Sequence, residues 1–235
     1  MQWWGVHVGI LGGTGPLGRG LAGRFAAAGN RVTLGSRQAE RAGAAAAEMA
    51  DAWPEAEPTL AGAGNEEAAG ADIVVVATPW DSAVETAVGL AGLLQGKVVV
   101  SVANALVKEG RELLALVPPR GSVAASLQAR LPASLVAAAG HHLPAPVLVD
   151  PSRRLVADVL VCSDHAEATA ATMALFGAVP GVRTLDAGSL AQAAALEAFT
   201  AVLVGLNRRY KAHSTLALAG LDDTDGVAPR GTGST

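Results

Sequence analysis

A short apolar run, Val6 to Leu11, leads straight into three glycines, Gly13, Gly15 and Gly18. An Ala/Leu-rich helical pattern follows to Ala28, Gly29 supplies a stop, and Arg31–Leu34 reads as a second strand. Few patterns constrain a chain more. A β-α-β unit that opens on Gly-x-Gly-x-x-Gly is the fingerprint of a dinucleotide site. The first glycine, Gly13, permits the tight turn. Gly15 lets the backbone approach a pyrophosphate, and Gly18 lets helix and strand pack closely. Thr14, Pro16 and Leu17 complete the turn, and the helix N-terminus offers free N–H groups and a partial positive charge. A tight turn that binds nothing is the bland alternative.

The residues after the second strand choose between cofactors. NAD sites usually carry Asp or Glu there, for the ribose hydroxyls. This chain has Gly35-Ser36-Arg37 instead, with Arg41 four residues on, on the same face of a helix that starts here. A carboxylate would repel a 2′-phosphate, whereas a hydroxyl and guanidinium groups bind it. The expected cofactor is NADP(H), held by Ser36, Arg37 and Arg41.

Alternation continues along the chain. Helices are expected over Gln38–Ala50, Asn65–Ala69, Ser82–Leu94, Ser122–Leu131 and His165–Phe176. Continuous apolar strands are expected over Asp72–Ala77, Lys97–Ser101, Leu135–Ala139 and Asp158–Cys162, with a shorter one at Arg183–Asp186. Such strands are buried on both faces. The fold class is therefore α/β, a Rossmann-type doubly wound, mainly parallel sheet, with residues 1–187 as the NADP-binding domain. From Ser189 to about Ala219 one long helix or two abutting ones are expected, and residues 188–221 form a short C-terminal helical part. The first half of that segment is apolar on nearly every side. Such a helix must be covered all round, which points to a homodimer. Residues 222–235, rich in Gly, Pro, Ser and Thr, are expected to be a disordered tail.

Composition removes several classes of function. No run of about 18 uncharged apolar residues is present, so no membrane span or membrane partner is expected. The N-terminus has no basic n-region and runs into the first strand, which excludes a signal peptide. The single cysteine, Cys162, has no internal partner and points to a reducing cytoplasm. A formal net charge of −4 and 3% aromatic residues argue against nucleic acid as a partner.

Three loops fall at the carboxyl ends of strands, where doubly wound folds bind ligands. They are Thr78-Pro79-Trp80, then Val102-Ala103-Asn104-Ala105, then Gly140-His141-His142-Leu143-Pro144-Ala145. Trp80 reads equally as a flat wall for a ring or as packing. Adjacent histidines point to opposite sides of an extended chain, so no metal site is expected. No Gly-x-Ser-x-Gly elbow is present. A base for alcohol oxidation is missing too. The three lysines are Lys97, Lys108 and Lys211, none early on the last helix, and Tyr210 is the only tyrosine. Hydride transfer between two flat rings needs no such base, because stacking and orientation supply most of the rate.

From residue 7 to about 220 the chain resembles the NADPH-dependent reductases of the deazaflavin coenzyme F-420. The blocks that carry the resemblance are GGTGPLG followed by GSR, then TPW, SVANAL, VPPRGSVAASLQ and HHLPA, then DVLVCSD, LDAGSL, EAFTAVL and LNRRYKAH. The resemblance implies a small, metal-free homodimeric oxidoreductase that moves hydride reversibly between NADP(H) and coenzyme F-420. It implies cofactor contacts at Gly13 to Gly18, Ser36, Arg37, Arg41, Thr78, Pro79, Trp80, Ala103 and Asn104. It implies catalytic positions at His141 and Thr200 beside the deazaflavin ring. Some relatives carry Arg and Ser where this chain has Ala194 and Ala198. The cluster of Asn207, Arg208, Arg209, Lys211 and His213 reads as a steering patch for an acidic cofactor tail, or equally as a solvated helix face. The alternatives are an NADPH-dependent reductase of another acceptor (an imine, a flavin or a ferric chelate) and a non-catalytic NADP(H)-sensing dimer.

Overall fold

The computed structural model describes residues 5–54, 56 and 59–221. The expected tail, 222–235, lies outside the described residues. Eight strands form one sheet: β1 (His7–Leu11), β2 (Arg31–Ser36), β3 (Leu60–Gly64), β4 (Ile73–Val76), β5 (Val98–Ser101), β8 (Leu135–Ala138), β9 (Ala157–Ser163) and β10 (Val182–Asp186). Their order across the sheet is β10-β9-β8-β5-β4-β1-β2-β3. The first six run parallel, and the chain reverses direction about β1, with β4 on one side and β2 on the other. The carboxyl ends of β1 and β4 flank that reversal, where ligands of open α/β sheets bind.

Both faces of the sheet are covered. Val8, Ile10, Ile73 and Val75 enter one core, with Leu21, Phe25 and Phe176; Leu11, Val74 and Val76 enter the other, with Leu127 and Leu190. This is why the strands read as unbroken apolar runs. The covering helices are α1 (Pro16–Ala27), α2 (Ala39–Ala52), α3 (Asn65–Ala69), α4 (Trp80–Val88), α5 (Ala91–Leu94), α6 (Val123–Arg130), α7 (Ala145–Leu148), α8 (Ala166–Gly177) and α9 (Ala193–Tyr210).

Several features add to the sequence expectation or depart from it. The glycine-rich stretch before Asn65 is a strand, β3, not a loop. It has no apolar pattern, and Gly62 lies so close to α2 that a Cβ there would meet the Ala42 carbonyl. Residues 106–115 form a separate antiparallel hairpin of β6 (Leu106–Glu109) and β7 (Glu112–Ala115). The expected Ser82–Leu94 helix starts two residues earlier and breaks after Gly89 into α4 and α5. Finally, β9 is antiparallel to β8 and carries the parallel β10 with it, so the last two strands run opposite to the rest.

The long C-terminal helix is also shorter than expected. A 3-10 turn, Leu190–Gln192, leads into α9, which ends where Lys211 adopts φ 50°. Asn207 closes the turn by accepting from the Ser214 N–H and hydroxyl, both at 2.7 Å. The chain then runs extended along the start of β9. Asp158, paired with Arg183 through two 2.7 Å contacts, also accepts from the Leu218 N–H. Among the described residues, Leu190–Tyr210 is one helix long and apolar enough to cross a membrane by length and composition. Here it packs on α6 and β7.

A buried arginine fastens α1 to the far loop. The Arg24 guanidinium donates to the carbonyls of Val147, Leu148, Asp150 and Arg153, and lies 4.9 Å from the centre of a Trp53 ring. Deeper still, α1 sits directly on the turn that precedes it: a Cβ on Gly18 would fall 2.6 to 2.8 Å from the backbone of Gly13. A Gly18→Ala substitution must push α1 off β1. It should cost about 1–3 kcal/mol of stability, measured by denaturant unfolding.

Candidate active site: a cleft at the carboxyl edge of the sheet

A cleft of about 750 Å³ opens over the carboxyl ends of β1, β2, β4 and β5. One end is the glycine turn. Gly12, not Gly13, takes the positive φ, at 65°. The space beside Gly13 is filled instead by Leu34 and the Ile10 carbonyl, so the two glycines divide the task assigned to one. Gly15 faces open space, with nothing within 4 Å of where a Cβ would stand. A phosphate group can therefore reach the backbone there. Pro16 opens α1 with the fixed φ that suits a first helical position. The turn is braced from outside by Arg19, which donates to the Thr14 carbonyl and pairs with Glu48 at 2.6 Å.

The middle of the cleft is its cationic rim. Ser36 is buried at the end of β2 and its hydroxyl accepts from the Gln38 N–H. Arg37 and Arg41 are exposed and line the cleft, one turn apart. Neither makes a hydrogen bond or ion pair among the described residues. The expected trio thus stands together, with its guanidinium groups free for a phosphate. Sequence reasoning missed Asn65, which lines the same wall and accepts from the Gly12 N–H at 3.3 Å. Its placement depends on β3, which the sequence does not announce.

The other end is walled by Thr78, Pro79, Trp80, Val102, Ala103, Asn104 and Leu106. Trp80 is both wall and anchor: it starts α4, and its indole N–H donates to the Leu106 carbonyl at 3.1 Å. On its far side lies a mostly apolar hollow of about 330 Å³, bounded by Val84, Pro118, Pro119, Arg120 and Val123.

His141 and Thr200 are brought to this end, but neither lines the cleft. The Thr200 hydroxyl lies 3.1 Å from both the Asn104 side-chain oxygen and the His141 carbonyl. Asn104 donates to that same carbonyl at 3.4 Å. The contact of His141 with this cluster is therefore through its backbone. Its ring is 4% exposed, and neither nitrogen has a hydrogen-bond partner. Burial, helped by the neighbouring His142, pushes its pKa down to about 3, against a weak opposing pull from the Ala103 backbone. The ring is neutral at any ordinary pH. His142 is also lowered by burial, and its Nε2 lies 2.8 Å from the Leu196 carbonyl of α9. The Arg208 guanidinium donates to the Arg111 carbonyl, while Arg208, Arg209, Lys211 and His213 lie exposed beyond α9's apolar stretch.

A cleft with a glycine phosphate turn, a hydroxyl-and-guanidinium pocket after β2 and a flat-walled far end defines an NADP-linked oxidoreductase of Rossmann type. The description "NADP oxidoreductase coenzyme F420-dependent" fits residues 7–105, which hold the turn, the rim and the Trp80 wall. The F420-dependent NADP reductase of Methanocaldococcus jannaschii is 36% identical over 217 residues, covering 89% of this chain and 96% of that one. The enzyme of the same description from Methanothermobacter thermautotrophicus is 31% identical, covering 87% and 90%. A solved structure from Arthrobacter sp. FB24, described as an F420-dependent NADP reductase, superposes with TM-score 0.77 at 26% identity, covering 91% of this chain and all of that one. The chain belongs to the F420-dependent NADP reductase family.

Two measurements test the geometry. Arg37→Ala should weaken NADPH at least roughly tenfold in a binding titration and leave NADH nearly unchanged, since a charge-assisted hydrogen bond contributes about 1.5–3 kcal/mol. His141 makes an acid-sensitive contribution. Its folded pKa is depressed, so the unfolded chain takes up protons that the native ring refuses. Stability is present above about pH 6.5 and lost as pH falls below it. The melting temperature of the wild type should therefore drop more steeply between pH 7.5 and 5 than that of His141→Leu.

Proposed function

We propose that this chain is a reductase that transfers hydride reversibly between NADP(H) and coenzyme F-420. The observation that carries the reading is one continuous cleft. It runs from a phosphate turn, past Ser36, Arg37 and Arg41, to a flat-walled end at Trp80 with a second apolar hollow beside it. Family membership over nearly the whole chain supports the same reading. NADPH supplies the hydride and coenzyme F-420 accepts it, with one solvent proton taken up. The chain's part is binding and orientation. The turn from Gly12 to Gly18 and the rim fix the phosphates. Thr78, Pro79, Trp80, Ala103 and Asn104 hold the nicotinamide face. Thr200 and the His141 backbone fix Asn104 from behind, which is how these two positions serve the reaction.

The work divides between a Rossmann part to residue 187, which binds NADP(H), and a C-terminal helical part whose Thr200 touches Asn104 behind the far end of the cleft. A homodimer fits the surface of α9. Phe199, Val202, Leu206 and Tyr210 are exposed along one side of it, a stripe that a second copy would cover. A cytoplasmic enzyme with small-molecule partners, and with neither membrane nor nucleic acid, agrees with the single buried cysteine and the formal net charge of −4.

The direct test mixes purified protein, NADPH and oxidised coenzyme F-420 and follows the deazaflavin's visible absorbance. Rapid bleaching with NADPH, and slow or no bleaching with NADH, is the expected outcome. NADPH binding without bleaching would shift the reading to another acceptor or to a sensing dimer.

A further inference from the structure

Along α9 Phe199, Val202 and Leu206 are exposed, while a carboxylate, Glu197, is buried, at 3% exposure. A single acidic group on the inner side of an apolar helix has a large desolvation cost unless it is hydrogen-bonded. Glu197 is. One carboxylate oxygen accepts from the Val123 N–H at 2.9 Å and the other from the Ala124 N–H at 3.1 Å. Those are the first two amides of α6, and the third, Ala125, is capped by the Ser122 hydroxyl. Glu197 thus joins α9 to the start of a helix more than 70 residues away.

The position of that joint matters more than its strength. Thr200 is three residues on, on the same face of the helix. Leu196, the preceding residue, offers its carbonyl to His142. The first half of α9 is therefore pinned at three consecutive points: to α6 by Glu197, to the β8 loop by the Leu196 carbonyl, and to Asn104 and His141 by Thr200. Of these, only Asn104 lines the cleft. A shift of α9 along α6 passes to Asn104 through a single hydroxyl.

We propose that Glu197 is a positioning residue, its two-point clasp on the first turn of α6 holding α9 where Thr200 can fix Asn104 at the far end of the cleft. The clasp requires the ionised form, since both oxygens accept and a carboxylic acid would turn one of them into a donor facing an N–H. Burial raises the carboxyl to about 7, against the opposing pull of the two amides, with no contribution from a charged side chain. The ionisable groups on the elements packed around it are Arg120 and Arg130 flanking and ending α6, Asp164 beside the 3-10 turn, Glu112 on β7, and His141 and His142 on the β8 loop. Burial lowers the pKa of both histidines, that of His141 to about 3. Stability and positioning then respond to pH with opposite sign. The folded carboxyl binds its proton more tightly than the unfolded one, so global stability falls as pH rises from about 4.5 to about 7, whereas the clasp forms only as the folded carboxyl ionises near pH 7.

The inference rests on the proposed hydride transfer only for its kinetic readout. In carbon-13 spectra of the intact protein, the Glu197 carboxyl should titrate near pH 7, and the Asn104 amide should follow with the same midpoint. In steady-state assays, kcat should rise through that midpoint. Glu197→Gln should lower kcat by roughly tenfold, leave NADPH affinity within about twofold, and abolish both the rise and the Asn104 titration. Coenzyme F-420's own titrations are common to both proteins and cancel. Ser122→Ala loosens the same helix end without touching the carboxyl; it should lower the melting temperature and keep the rise. A rise that survives in Glu197→Gln, or a Glu197 carboxyl that titrates in the usual carboxylate range, overturns the proposal. A wild type that never bleaches coenzyme F-420 defeats the functional reading instead, and the spectra still decide this one.

Discussion

Backbone touches backbone wherever the cleft is built. Gly18 of α1 lies on Gly13, Gly9 of β1 lies under Ala68 of α3, and Gly62 of β3 lies under Ala42 of α2. At each place a Cβ would fall within 3 Å of a main-chain atom. Close-packed interiors do not absorb such an intrusion, because no void stands ready to take it. The consequence is local and functional. With no side chains between the layers, α1 stays low on the sheet, its first amides stay level with the strand ends, and Gly15 stays open to a phosphate.

Charge is distributed to match. The guanidinium groups inside the protein are committed: Arg24 is held by four carbonyls, and Arg183 is held by Asp158. Those on the cleft rim, Arg37 and Arg41, have no protein partner among the described residues. An uncommitted guanidinium beside a buried serine hydroxyl has the chemistry to bind an anion. At the other end the cleft has no charged wall. The histidine behind it is held neutral by burial, and the residues that line it are apolar, amide or hydroxyl-bearing. Such a surroundings neither donates nor removes a proton readily, which suits hydride movement between rings and suits acid–base catalysis poorly.

The local half of this protein was legible in its sequence. The β-α-β unit, the choice of NADP, the buried strands and the first two cleft loops all follow from demands that neighbouring residues state together: a glycine where a side chain cannot fit, a Ser-Arg pair where a carboxylate would repel; the third loop, with His141 and His142, does not line the cleft. The family resemblance extended that reading to His141 and Thr200. Misread were β3, the break in the helix after Trp80 and the end of α9, while the Leu106–Ala115 hairpin and the reversal at β9 within a mainly parallel sheet were left unassigned. For β3 and β9 the deciding contact is distant in sequence, whereas the hairpin and the turn that ends α9 close locally. β3 is a strand because β2 and α2 accept it, and α9 ends where Asn207 finds Ser214 and the chain is drawn back to Asp158.

By itself, then, the sequence determined which cofactor this protein is made to hold and on what kind of scaffold, since phosphate chemistry and glycine sterics are written within a few residues. Only the tertiary structure decided how the second half serves that cleft. Folding turns the His141 carbonyl, not its ring, toward Asn104 and Thr200, and sets the Glu197 carboxylate on the first two amides of α6, where the helix pattern showed only one more residue between apolar neighbours. The reason is physical. A side chain's role in a buried site is set by what desolvates it and which dipoles meet it, and those partners come from segments that only folding brings together.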